Sequence, residues 1–459
     1  MVAAHKSIRL APLVEDPAAD RYASVKRRES SARTYASTFA TVFESGAGIR
    51  MRDQSGREII DCLACAGALP LGHNHPEVRD ALLRFIDSGH VQQVLDLTTP
   101  AKCELVDELF GLLPPAWADR AKIQFCSPSG SDAVEAAMKL TRFATGRQSI
   151  IAFHGAYHGM TGGALAAMGN LGPKAALSSA GNVHFVPYPY QYRCPFGSDG
   201  QDTDRLSIQY LTNLLGDPES GITRPAAVIV EVVQGEGGCI PVSDDWLRQL
   251  RQVTRDHDIP LVIDEVQTGF GRTGTMFAFE RAGIVPDVLV LSKAVGGGFP
   301  LAVIVYDQAL DRWPRGMHAG TFRGNQIAMV AGKVTMEILA RDRLAEHAAD
   351  MGALLVDGLR QIADHHPELG DVRGRGLMIG VEIVAPAPGS LRGRQDGALS
   401  AAIKRAAFDH GLLIETGGRH GAVLRMLPPL IVTAADVGAI LDRLELSVVH
   451  AKRQMMRRR

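Results

Sequence analysis

Six short apolar runs recur through the middle of the chain, at 122–126, 149–153, 226–230, 261–263, 288–291 and 301–305, separated by amphipathic stretches of helical length. Runs this short and continuous read as strands buried on both faces. Strands alternating with helices argue for an α/β fold with a largely parallel sheet covered on both sides. Open sheets of this kind bind ligands beyond the carboxyl ends of their strands. The residues that follow each run are therefore the first place to look for chemistry.

At 459 residues the chain exceeds one small core, and two or three structural units are expected. The boundaries expected are an N-terminal arm and strands over 1–75, a large unit over 76–335 and a smaller unit over 336–459. Residues 1–35 are polar and mixed in charge and read as an extended or loosely held arm. Short strands follow from Gly46 to Cys65, broken by a turn at Asp53-Gln54-Ser55-Gly56, and Pro76 stands at a plausible first helical position. A long helical stretch near 325–364 leads into the last unit.

A formal net charge of -1 gives no footprint for nucleic acid or an anionic membrane. Six scattered cysteines complete no zinc motif, and Cys62 and Cys65 read as two small core residues. His73 and His75 lack a neighbouring acidic cluster, so they read as turn and cap residues and no metal is expected. Neither a signal peptide nor a membrane-length apolar run is seen, which fits a cytoplasmic location.

The run 288–291 ends in Ser292-Lys293-Ala294-Val295-Gly296-Gly297-Gly298. A lysine against apolar walls loses part of its preference for the charged form, and a neutral amine attacks carbonyls. Alone, this stretch better describes a solvated lysine at a strand end. Ser127-Pro128-Ser129-Gly130-Ser131-Asp132 joins a strand to a helix, where free backbone amides and the positive helix end suit a phosphate, or where a serine simply caps. His154-Gly155-Ala156-Tyr157-His158-Gly159 places an aromatic where it can lie on a planar ring, or pack. Asp264 and Glu265 close the run 261–263. That pattern also describes the magnesium strand of P-loop ATPases, but no GxxxxGK[ST] element exists here. A carboxylate at such a strand end can instead pair with a protonated ring nitrogen, or be satisfied by backbone donors. Together, a nucleophilic lysine, a carboxylate, a phosphate turn and an aromatic are what pyridoxal 5'-phosphate requires.

With these motifs in order, followed by EVVQGEGG (231–238), VIDEVQTGFGRTG (262–274), LSKAVGGGFPL (291–301), GTFRGNQ (320–326) and LRMLPPL (424–430), the chain resembles the class III aminotransferases of pyridoxal phosphate fold type I. The resemblance runs from about residue 40 to about 445. It implies a large domain with a sheet sandwiched by helices, and a small α+β domain formed by the N- and C-terminal segments. It implies Lys293 as the imine-forming lysine and Asp264 as the partner of the ring nitrogen. Gln267 would approach the phenolic oxygen, Tyr157 would stack on the ring beside His158, and Gly130 and Ser131 would hold the phosphate. Thr321 would reach the phosphate of a neighbouring subunit, so at least a homodimer is implied. Glu231 would lie near substrate, and Glu236 would mask Arg425 until an α-carboxylate displaces it; the alternative is an ordinary surface pair. Where many members have HGRT, this chain has His158-Gly159-Met160-Thr161. That departure, with TFRGNQ, resembles the diaminobutyrate–2-oxoglutarate branch. Other ω-amines such as ornithine, acetylornithine or 4-aminobutyrate, and a related aminomutase or racemase, stay open.

Overall fold

The computed structural model describes residues 21–175, 182–198, 200–385 and 392–458. Its centre is a seven-stranded sheet in the order Ala121–Cys126, Ala302–Asp307, Val288–Leu291, Leu261–Asp264, Ala227–Val230, Ile150–Phe153, Val183–Val186. Every residue of Val288–Leu291 is fully buried. Leu289 and Leu291 join the core on one face, whereas Val288 and Val290 join the core on the other. Side chains alternate along a strand, so a continuous apolar run is what a sheet covered on both sides demands.

The sheet is mixed rather than wholly parallel, because Ala302–Asp307 runs antiparallel to both neighbours. The link from Leu291 back to Ala302 is too short for a helical crossover. It instead turns tightly on glycines: a Cβ on Gly297, at φ +58°, would stand 2.5 Å from the carbonyl oxygen of Ala331.

The helix Gly130–Thr145 covers one face with Ala133, Ala136, Ala137, Met138 and Leu140. Its small residues bring the helix close to the sheet and set its N-terminus beyond the strand ends. Phe43–Ala47, Arg50–Asp53 and Glu58–Asp61 form a second sheet whose fourth member, Leu412–Leu413, comes from the far end of the sequence. Leu369–Arg375, Met378–Ala385, Glu415–Gly417 and Val423–Met426 lie in a third sheet, which places Arg425.

Three expectations are corrected. The helical stretch near 325–364 is two helices, Gln326–Arg341 and Leu344–His365, interrupted where Arg343 takes φ +50°. Cys62 is buried as expected, but Cys65 is exposed in a turn at φ +50° and is not a core residue. Residues Arg21–Arg28 of the expected extended arm form a helix, while residues 1–20 lie outside the described part.

Candidate active site

One cavity gathers nine of the eleven residues singled out by sequence: Gly130, Ser131, Tyr157, His158, Glu231, Glu236, Asp264, Gln267 and Lys293. They come from the carboxyl ends of five strands of the sheet and from the loops beyond them. Arg425 stands against the cavity through Glu236. Thr321 is exposed in the turn Thr321–Gly324 and does not line the cavity.

Lys293 follows the extended Ser292 and sits at φ +52°, a conformation that a residue with a Cβ rarely adopts. The hydroxyl of Ser292 donates to the carbonyl of Leu301 at 3.0 Å, which holds the strand end while the chain turns. Burial lowers the Lys293 pKa below the usual lysine value, against the raising effect of Glu236 and Asp264. That favours a neutral amine, the form that attacks a carbonyl.

Asp264 is buried and doubly engaged. Its Oδ1 accepts the amide of Val266 at 3.0 Å, and Oδ2 lies 2.7 Å from Nδ1 of His158. It has a backbone donor, as one of the sequence alternatives requires, and it still lines the cavity. Burial opposes a charge on His158, but the Asp264 contact outweighs it and raises the histidine pKa. Nε2 of the same ring is buried without a hydrogen-bond partner. Glu265, the second acid of the pair, points elsewhere and accepts the amides of Ala278 and Phe279 at 2.8 and 3.0 Å. It is a structural cap, which leaves nothing of a magnesium strand.

The amides of Gly130 and Ser131 open the 130–145 helix, and neither finds an acceptor among the described residues. Ser129 makes no capping bond, and the Ser131 hydroxyl accepts the amide of Met160 at 3.0 Å. The serine-cap alternative therefore fails, and an open helix N-terminus of sixteen residues is left facing the cavity.

Glu231 accepts the amides of Tyr157 at 2.9 Å and Gly235 at 3.0 Å. Burial pushes its carboxyl up to about 7, with His158 pulling down and Asp264 pushing up. Nη1 of Arg425 lies 2.5 Å from Oε1 of Glu236 in an ion pair. The Arg425 side chain is 0% exposed, so this is no ordinary surface pair, and its Nε and Nη2 lack acceptors. Burying a guanidinium with idle donors is costly, and an incoming carboxylate relieves that cost.

Several contributors escaped the sequence reading. Ser129, Val266, Thr268 and Ser292 line the cavity from within the quoted motifs, where spacing could not rank them. Tyr35 had no motif at all; burial and the Glu236 carboxylate push its hydroxyl up to about 12, which sets it beside the Glu236–Arg425 pair. Cys126, Asp132 and His318 cluster closely. His318 uses Nε2 on Asp132 at 2.9 Å and Nδ1 on Lys139 at 3.3 Å, and burial keeps the Cys126 thiol protonated, so this is a hydrogen-bonded clamp.

The arrangement fits pyridoxal 5'-phosphate: unsatisfied helix amides for a phosphate, Asp264 for a ring nitrogen and a buried lysine whose pKa is lowered, within one cavity. Comparison with known proteins agrees. A diaminobutyrate–2-oxoglutarate aminotransferase of Rhizobium meliloti (strain 1021) is 54% identical over 90% of this chain and 89% of its own length. Its counterpart in Haemophilus influenzae is 44% identical over 92% and 93%. Among solved structures, an amine transaminase from an uncultivated Pseudomonas species in its PLP-bound form superposes with a TM-score of 0.82 at 27% identity, over 92% of this chain and 98% of that one. An omega-transaminase from Thermomicrobium roseum gives 0.81 at 26% identity, over 96% of each. The aminotransferase class-III family matches residues 30–448, and the chain belongs to that family.

Proposed function

We propose that this protein exchanges an amino group between the 4-amino group of L-2,4-diaminobutyrate and 2-oxoglutarate, forming L-aspartate 4-semialdehyde and glutamate by a ping-pong mechanism. Membership of the class III family makes it a pyridoxal 5'-phosphate-dependent aminotransferase acting on an amino donor and a keto-acid acceptor. The bound cofactor supplies an electron sink for the carbanion formed at the amine-bearing carbon. Lys293 would bind the cofactor and, when free, would carry the proton at that carbon. Asp264, fixed by Val266 and His158, keeps the ring nitrogen protonated. The amides of Gly130 and Ser131 would hold the phosphate, Tyr157 would cover the ring and Gln267 would approach the phenolic oxygen.

The observation that carries the substrate reading is the buried Arg425 paired with Glu236. An ω-amine donor reacts with Arg425 still masked. Glutamate needs it for the α-carboxylate, so Glu236 must yield. One site thereby accepts two substrates of different charge. The 54% identical relative, and Met160 in place of the arginine many members carry, favour diaminobutyrate over other ω-amines. The test is a half-reaction screen on the purified, cofactor-loaded protein. Glutamate and 2,4-diaminobutyrate are expected to bleach the visible band. Bleaching by ornithine or 4-aminobutyrate with diaminobutyrate inert overturns the substrate choice, and product formed without any keto acid points to an aminomutase or racemase.

The active form proposed is a homodimer. Leu95, Leu97 and Phe322 are 54%, 63% and 57% exposed, and the bridge between Gln93 and Asn325 brings their segments together. Apolar side chains so placed fit a second copy of the chain, and Thr321 adjoins the same patch, where it would serve the partner's phosphate.

A further inference from the structure

Between the strand Glu58–Asp61 and His73 the backbone does something costly. Ala64, Cys65 and Ala66 stand consecutively at φ +46°, +50° and +57°. Residues with a Cβ avoid this left-handed region singly, and three in a row need an external hold. The hold is Asp61, which is 2% exposed. Its Oδ1 accepts the amides of Leu63 at 2.8 Å and Ala64 at 2.9 Å, and its Oδ2 lies 2.9 Å from Nε2 of His73. His73 is fixed in turn, since its backbone exchanges hydrogen bonds of 2.8 and 2.9 Å with Gly48.

The far end of this turn reaches the active site. The carbonyl of Ala66 accepts from Nε2 of Gln267 at 2.9 Å. That bond assigns the amide, because a flipped side chain would set two carbonyl oxygens against each other. Oε1 of Gln267 lies against Gly235, where any Cβ would stand 1.9 Å away. The Nε2 end of the amide is therefore fixed, and one Nε2 proton is left for the cavity that Gln267 lines.

We propose that Asp61 and His73 are positioning residues for the cofactor: they lock the 64–66 turn, whose Ala66 carbonyl orients the Gln267 amide so that its remaining proton meets the cofactor's phenolic oxygen. This rests on the reading that Gln267 faces that oxygen. A donor there stabilises the negative phenolate, which matters most once the lysine-bound cofactor has lost its shared proton. Removing the donor thus raises the pH at which the visible band titrates.

The test titrates that band in the loaded protein. Gln267→Ala is expected to raise the midpoint, and Asp61→Ala and His73→Ala to raise it in the same direction by about half a pH unit. Asp61→Asn, which keeps an acceptor for Leu63 and Ala64, is expected to shift it less. Adding Ala66→Gly to the Asp61→Ala background should restore much of the wild-type value, since glycine takes a positive φ unaided; Ala66→Gly alone is the control. No response to Gln267→Ala removes the reading of Gln267 and the proposal with it. A response to Gln267→Ala but not to the Asp61 and His73 variants overturns the proposal alone. A shift that Ala66→Gly does not reverse means general loosening and overturns it too. Should Asp61→Ala fail to fold, His73→Ala with and without Ala66→Gly decides.

Discussion

At the scale of single residues, burial and neighbouring charges move the site's ionisable groups away from their ordinary pKa values. Lys293→Ala should lower turnover by roughly 10^3-fold or more while cofactor still binds non-covalently, as read by steady-state rates and equilibrium dialysis. Arg425→Ala should separate the two half-reactions. The kcat/KM for glutamate is expected to fall about 10^2-fold, because a buried charge partner is lost, while bleaching by the ω-amine changes little; equal losses would remove the gate. Glu231 gives a pH prediction. Its folded carboxyl is raised to about 7 from 4.5, so between these values the folded protein holds a proton that the unfolded chain releases. This group's stabilising contribution is full below pH 4.5 and is lost as pH rises through about 7. Glu231→Gln in the cofactor-free protein should flatten the fall of stability across that window by on the order of 1–3 kcal/mol, measured by urea denaturation at several pH values.

At the scale of elements, the helix Gln326–Arg341 is the support behind the lysine turn. Gly332 in its middle is a poor helix former, yet a Cβ there would stand 2.0 Å from the carbonyl oxygen of Val295. Gly332→Ala gains about 1 kcal/mol of helix propensity and must push backbone away from the turn after Lys293. A net loss of about 1–3 kcal/mol is expected, with weaker cofactor binding seen by fluorescence titration. A more stable variant with unchanged affinity would show that this helix does not set the lysine. The 130–145 helix plays the complementary part, since its alanines allow the close packing that points its free amides into the cavity.

At the scale of the whole molecule, sheets made from distant parts of the chain bring Arg425 to Glu236 across nearly two hundred residues of sequence. Among the described residues no helix is long and apolar enough to cross a membrane. The exposed Leu95, Leu97 and Phe322 are the patch at which the proposed homodimer would meet. On the proposed homodimer, Phe322→Glu is expected to shift the protein toward a monomer in light scattering and to weaken cofactor binding along with it, because Thr321 would leave the neighbouring site. A variant that stays dimeric with full affinity would place the interface elsewhere.

The sequence alone marked six of the seven strands of the central sheet and nine of the residues that line the cavity, for a local reason. A strand buried on both faces must be continuously apolar, and the chemistry must follow it within a few residues, so Asp264 and Lys293 were legible from their own stretches. Tertiary structure decided what depends on approach between distant segments. The reversed strand Ala302–Asp307, the break at Arg343 and the exposure of Cys65 carry no periodic signal, because each is set by what packs on it. So too with function: that Arg425 is wholly buried and short of acceptors, and that Asp61 holds a left-handed turn reaching Gln267, follow from contacts no spacing encodes.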